Sequence, residues 1–369
     1  MASSEYVTIL DPNISSNQTC NLYSHQDSAR IGLPFYFSLV FLIGALANIL
    51  ALTVIYQNRK KINSTTLYST NLVVSDILFT TALPTRIIYY ALGFDWRIGE
   101  ALCRITSVMF YINTYAGVNF MTCLSVDRFI AVVYPFRYNK LQRAKHAKYV
   151  CISVWFLVFL QTFPLLLQEM SKDAGGHITC MEYPNFETNP HLPVILLGAC
   201  FIGYVIPLGI ILFCYVRISN KLCQAAKENP LTEKSGSNRK AINTIILVIV
   251  VYLLCFTPYH VAIIQHMIKK LQYQPSCLEQ QNFQIALHAT VCLMNLNSCL
   301  DPFIYFFACK GYKRRVMKLL KRQTSISISS LARQTPDESS RDVVEAPMIR
   351  LYSNGSRTYD LCKESSTLH

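Results

Sequence analysis

Five acidic or strongly basic side chains interrupt otherwise apolar stretches of this chain: Asp76, Arg86, Asp127, Arg128 and Asp301. A charge at the centre of a membrane helix costs about 3 kcal/mol on insertion scales, so each is a functional candidate. Two buried carboxylates such as Asp76 and Asp301 raise each other's proton affinity when they meet, and then hold a cation or share a proton. Asp127 and Arg128 are an adjacent acid and base. No acid lies at a depth similar to that of Arg86, so its guanidinium awaits a ligand oxygen or lines water. Tyr111 and Tyr115 are four apart and share a helix face. Tyr259 follows the kink expected at Pro258. Any one membrane tyrosine also serves as ordinary core or interfacial belt. Together, three phenols and one guanidinium fit a large hydrophobic ligand with hydroxyl groups. Apolar burial contributes roughly 25 cal/mol per Å² and each neutral hydrogen bond about 0.5–1.5 kcal/mol. The hydrocarbon body would then supply affinity and the hydroxyls selectivity. There is no nucleophile triad, metal-ligand cluster or inverted repeat, so catalytic residues are none and an enzyme or transporter is not expected.

The elements that must position these residues are seven apolar stretches, near 31–56, 66–91, 105–134, 149–168, 192–216, 241–267 and 283–309. Roughly 20 apolar residues cross the hydrocarbon, and lipid offers the backbone no partner, so each stretch should be a helix. A hydrophobic share of 52% with 15% charged residues fits an integral membrane protein. The net charge of +13 would suggest nucleic acid in a soluble protein. Here Lys and Arg concentrate after the first, third, fifth and seventh stretches, which places the N-terminus outside and the C-terminus in the cytosol, next to anionic lipid. The expected organisation is an extracellular tail over 1–30, seven transmembrane helices over 31–309, an amphipathic eighth helix over 310–322 and a disordered cytoplasmic tail over 323–369. The fold class is thus an all-α membrane protein, a seven-helix bundle. Asn13 and Asn17 head glycosylation sequons in the outer tail. Cys20, Cys103, Cys180 and Cys277 lie outside, which permits two disulfides in three possible pairings.

The motifs on these stretches resemble those of rhodopsin-like (class A) G-protein-coupled receptors. They are Gly44 to Asn48, Leu72 to Asp76, Cys103 with Asp127-Arg128-Phe129, Trp155, Pro207 with Tyr215, Cys255-Phe256-Thr257-Pro258, and Asp301-Pro302-Phe303-Ile304-Tyr305. The resemblance covers residues 31 to about 322. It implies a Cys103–Cys180 bridge, which leaves Cys20 for Cys277. It implies that Asp76 and Asp301 meet near Asn48, Asn113 and Asn297, around an allosteric sodium ion or a shared proton. Gly117 stands where a serine ligand is common in the family, which weighs against tight sodium binding. It assigns G-protein coupling and activation to Asp127, Arg128, Tyr215, Phe256, Pro258 and Tyr305, with the sixth helix swinging about Pro258. Phe129 replaces the usual Tyr, Asp301 the usual Asn and Phe256 the usual Trp. Asn238 replaces the acid that pairs with the third-helix Arg in several members, so that ionic latch is missing and ligand-independent signalling is expected. Phe110 and Asn295 exclude an amine receptor and an opsin.

Within the family, Asn58 to Tyr68, Phe94 to Gly99 and Cys255 to His260 are similar to oxysterol-sensing receptors of immune cells. That likeness implies dihydroxylated cholesterol ligands of the 7α,25-dihydroxycholesterol type, bound by Arg86, Tyr111, Tyr115 and Tyr259. It also implies inhibitory G proteins and guidance of B-cell and other immune-cell migration from the plasma membrane. Two other ligand classes stay open. A chemokine or peptide receptor would suit the second outer disulfide and a sulfated Tyr6, although Glu5, Asp11 and Asp27 are a thin acidic bait. A receptor for an acidic lipid would pair a carboxylate with Arg86. Thr324, Ser325, Ser327, Ser329 and Ser330 form a hydroxyl cluster that receptor kinases would phosphorylate and arrestin would read. Cys309 is a candidate for palmitoylation.

Overall fold

The computed structural model describes residues 22–23, 25–57, 63–135, 144–173, 176–182, 190–228, 236–308, 314 and 316–318. Among the described residues, seven helical spans are long and apolar enough to cross a membrane. The first is Gln26–Gln57, the second Ser64–Ala91, the third Glu100–Val133 and the fourth Ala144–Leu167. Helix starts at Gln26 rather than Ile31, because Asp27 in the first turn favours the positive helix end. The second span is capped by Asn63, whose side chain accepts from Thr66 N at 2.8 Å.

The last three spans are each interrupted, the fifth and sixth beside a proline and the seventh at Leu296. The fifth runs as Leu192–Cys200, a π-helical turn Phe201–Val205 and Ile206–Glu228. Pro207 has no N–H to give, and the wider turn absorbs the missing bond. The sixth breaks at Phe256 between Gly236–Cys255 and Thr257–Gln272, with Pro258 in the first turn of the second piece. The seventh is Cys277–Asn295 followed by Asn297–Ala308. It starts with a capping box, Ser276 Oγ accepting from Glu279 N and Glu279 Oε2 from Ser276 N at 3.1 Å.

Burial is inverted relative to a water-soluble bundle. Large apolar side chains ring the outside, with Ile31 78% and Leu46 71% exposed. Asn48, Asp76 and Asp301 are all 0% exposed. Such a surface suits hydrocarbon rather than water. The second and fourth spans are pinned by Trp155 Nε1–H donating to Asn71 Oδ1 at 2.8 Å, while the Trp155 ring meets Phe120 edge-on at 6.0 Å.

One element was not legible as a strand: a two-stranded hairpin, β1 Ser171–Asp173 and β2 Ile178–Cys180, paired antiparallel. The Cys103–Cys180 disulfide ties it to the third span, as the family likeness implied. Glu100 adds three anchors, accepting from Met170 N at 2.9 Å, Ser171 N at 2.8 Å and Ser171 Oγ at 2.5 Å. Cys277 is also held in a disulfide. Its expected partner Cys20 lies outside the described residues, as do Asn13, Asn17, Cys309, Thr324, Ser325, Ser327, Ser329, Ser330 and most of 310–322.

Replacing Asn71 by Ala leaves the Trp155 indole N–H without its acceptor. Unfolding of the detergent-solubilised protein should then cost about 1 kcal/mol less, read as a lower melting temperature, with a smaller loss for Trp155→Phe.

Candidate functional site

Four groups of polar side chains lie along the bundle interior. At the hairpin end, Arg86 is buried and donates from Nη1 to the Cys180 carbonyl at 3.0 Å and from Nη2 to Tyr90 Oη at 2.6 Å. Its guanidinium also lies 5.0 Å from the Tyr89 ring centre and 4.9 Å from that of Tyr90. The expectation that no acid shares its depth is overturned. Glu182, two residues past the bridged Cys180, turns into the bundle and is 2% exposed. Its Oε1 accepts from Tyr89 Oη at 3.0 Å and its Oε2 sits 3.2 Å from His288 Nε2. Burial alone would raise the Glu182 pKa. His288, Arg86 and the Tyr89 hydroxyl outweigh that and hold the carboxyl below its ordinary value. The disulfide is the physical reason: it fixes Cys180 against the third span, so Glu182 cannot stay in an outer loop. That proximity was the signal in the sequence, a carboxylate two residues from a cysteine expected to be bridged.

The chain of contacts continues outward. His25 Nε2 lies 2.9 Å from His288 Nδ1. A neutral His288 that donates Nε2–H to Glu182 must accept at Nδ1, so His25 donates Nε2–H. The first residues before the first span are thereby part of the bundle: Leu22 is 2% and Tyr23 7% exposed. Gln26 Nε2 donates to Gly93 O, and Phe94 packs on Tyr23, Tyr89, Tyr90 and His288. Burial, then the electrostatic effect of the adjacent His288 ring, lowers the His25 pKa to about 4 against the opposing pull of Glu182.

The three expected phenols come together. Tyr111 and Tyr115 stack at 6.3 Å on the third span. Tyr259, just past the break in the sixth, faces Tyr111, and Arg86 is near enough for its charge to act on Tyr111. The π turn of the fifth span closes on this group, since a Cβ at Gly203 would lie 3.2 Å from the Tyr115 ring. Phe79 and Phe110 pack edge-on at 6.0 Å behind it.

Below the phenols lies the acid pair. Asn113 Nδ2 donates to Asp76 Oδ1 at 2.9 Å, and Asn48 Nδ2 to the carbonyls of Gly44 and Ser298 at 3.0 and 2.8 Å. Asp76 is close enough to Asp301 for their charges to interact. Among the described residues, both Asp301 oxygens, both Asn297 side-chain polar atoms and Asn48 Oδ1 are buried with no hydrogen-bond partner. Carboxylate and amide oxygens stranded together are a donor set suited to a hard cation, or to a shared proton. A Cβ at Gly117 would lie 3.2 Å from Asn297 Nδ2 and 3.3 Å from Phe256 Cζ. Glycine therefore lets the sixth and seventh spans approach the third here.

At the opposite end, Asp127 Oδ1 accepts from Ser64 Oγ at 2.6 Å and Oδ2 from Thr65 Oγ1 at 2.8 Å. Arg128 Nη2 donates to Asp127 Oδ2 at 2.8 Å and to Thr65 Oγ1. Phe129 packs on Phe213 at 5.8 Å. The first turn of the second span thus holds the Arg128 head through side chains that sequence reasoning had not singled out. Phe256 is 0% exposed, with its ring 5.4 Å from that of Tyr252. Tyr215 lies on the fifth span and Tyr305 on the seventh; the side chain of Tyr305 is outside the described residues.

Residues 47–305 match the family model described as 7 transmembrane receptor (rhodopsin family). The chain is 70% identical over 332 residues to the human protein named G-protein coupled receptor 183, covering 89% of this chain and 92% of that one. The bovine protein of that name is 68% identical over 91% of this chain and 94% of its own length. A fowlpox virus protein, G-protein coupled receptor homolog FPV206, is 34% identical over 80% of this chain and 94% of its own.

Because the His25 pKa is depressed when docked, the docked arrangement binds fewer protons than the released one. Its stability is complete above about 6.5, falls as pH drops from there to about 4, and levels off below that. Hydrogen exchange of residues 25–30 should accelerate over that window, and His25→Gln should flatten the dependence. At the other end, Thr65→Val removes a hydroxyl from both Asp127 and Arg128. Ligand-independent G-protein activation, expected from the missing sixth-helix acid, should increase further in this variant at equal surface expression.

Proposed function

The chain belongs to the rhodopsin family of seven-transmembrane receptors, and on that premise we propose that its ligand is a dihydroxylated oxysterol of the 7α,25-dihydroxycholesterol type. Membership makes it a multi-pass membrane receptor that takes a ligand and a G-protein partner, not an enzyme. The observation that carries the ligand reading is the company Arg86 keeps. Its charge is matched at the same depth by the buried Glu182 carboxylate, with three phenols and apolar rings around them. Such a chamber offers donors and acceptors to hydroxyl groups and hydrocarbon contact to a sterol body, without a net charge to attract a carboxylate. That weighs against the acidic-lipid alternative. Arg has five N–H donors, so two fixed contacts leave capacity for a ligand oxygen.

The remainder of the reading follows the likeness to immune-cell oxysterol receptors. The hairpin end faces outside and the Arg128 end the cytosol of cells at whose plasma membrane the receptor directs migration, B cells among them. The transducer is a G protein of the inhibitory class, received beside Arg128 when the sixth span moves about Pro258. The phosphorylated serine and threonine cluster after Thr324 binds arrestin. The stranded oxygens of Asp301, Asn297 and Asn48 hold sodium or a shared proton and tie ligand occupancy to that movement.

The test is a G-protein activation assay offering hydroxysterols, fatty acids and chemokines. The intact receptor should answer the dihydroxysterol alone. Tyr259→Phe should weaken its potency about tenfold, the scale of one neutral hydrogen bond, and Arg86→Ala about a hundredfold. Silence toward every hydroxysterol by the intact receptor would falsify the oxysterol reading.

A further inference from the structure

We propose that Glu182 is the charge-selectivity determinant of this pocket: it makes the Arg86 region reject anionic sterols and accept neutral hydroxylated ones, with His288 as the residue that positions it. The inference rests on the oxysterol reading and adds the discrimination within it. Three observations support it.

First, Glu182 is fixed at both oxygens. Tyr89 Oη holds Oε1 at 3.0 Å and His288 Nε2 lies 3.2 Å from Oε2, so the carboxylate cannot swing away from an incoming anion. Second, Glu182 and Arg86 are joined through one side chain and not by direct contact. The Tyr89 ring lies 5.0 Å from the guanidinium, while the Tyr89 hydroxyl binds the carboxylate. The two charges therefore act on a ligand from neighbouring positions instead of vanishing into a closed ion pair. Third, both are nearly free of solvent, Arg86 6% and Glu182 2% exposed, so water screens neither.

A ligand hydroxyl can accept from the guanidinium or donate to the carboxylate, so it fits this field in either sense. A ligand carboxylate drawn to Arg86 must come to rest near Glu182, and like charges brought together in a dry site are strongly unfavourable. A hydroxyl and a carboxylate on the same sterol side chain are nearly the same size, which makes charge and not shape the basis of choice. His288 enters only through Glu182 in this scheme. The His25 contact at its far nitrogen fixes the ring with Nε2 toward the carboxylate.

The experiment compares two ligands on the full-length receptor in cell membranes. One is 7α,25-dihydroxycholesterol; the other is a 7α-hydroxysterol ending in a carboxylate. The readout is the ratio of their potencies, because a general structural defect lowers both alike and leaves the ratio in place. The intact receptor should favour the diol by at least about tenfold, Glu182→Gln should close that gap by a similar factor, and His288→Asn should close part of it. Arg86→Gln leaves the carboxylate uncompensated, so the gap should widen; this variant decides the matter if Glu182→Gln does not reach the cell surface. Equal potency of the two ligands on the intact receptor, or an unchanged ratio in the variants, overturns the proposal while the oxysterol reading stands. If neither sterol activates the intact receptor, that reading falls and the proposal falls with it.

Discussion

Hydrocarbon gives a polar group nothing to bind, and every other feature of this molecule follows from that constraint. It forces the backbone into helices and turns the apolar side chains outward. It also obliges each buried polar side chain to find its partner within the protein. Trp155 finds Asn71, Asn48 finds two carbonyls, Asp127 finds Ser64 and Thr65, and Glu182 finds Tyr89 and His288. Where partners are missing among the described residues, as at Asp301 and Asn297, the protein's own side chains leave that demand unmet.

The seven spans and the ionisable residues within them were legible because hydrophobic run length and rare charges are strong signals in lipid. The phenol group was legible too, since i and i+4 spacing on one helix needs no tertiary knowledge. What escaped was the product of chain reversal. A three-residue strand has too little pattern to stand out, and the hairpin owes its position to a disulfide and to Glu100 rather than to propensity. Through that hairpin Glu182 becomes the neighbour of Arg86. The pairing of His25 with His288 joins residues 263 apart and left no local trace. The interruption by Pro258 was expected as a kink, but the π turn at Phe201–Val205, which closes on Tyr115, and the break at Leu296 were not.

The two ends of the bundle are built on different principles. The hairpin end is a continuous web of rings and charges in which each member has several contacts. The Arg128 end relies on a few short hydroxyl-to-carboxylate bonds from the start of the second span. Between them the sixth and seventh spans both lose helical continuity, at Phe256 and Leu296, close to the stranded acid pair. A web resists distortion and a few bonds release easily, so movement imposed near the phenols should find its outlet at the Arg128 end.

The π turn of the fifth span has one consequence of a different sort. An extra residue in a helix advances every later side chain by about 100° around the axis. The residues before Phe201 and those after Val205 thus obey separate angular phases. A substitution pattern that suits the first piece imposes nothing on the face that the second piece turns to its neighbours. The wider turn acts as a phase decoupler, letting the two halves of one helix diverge under independent demands while remaining a single rod.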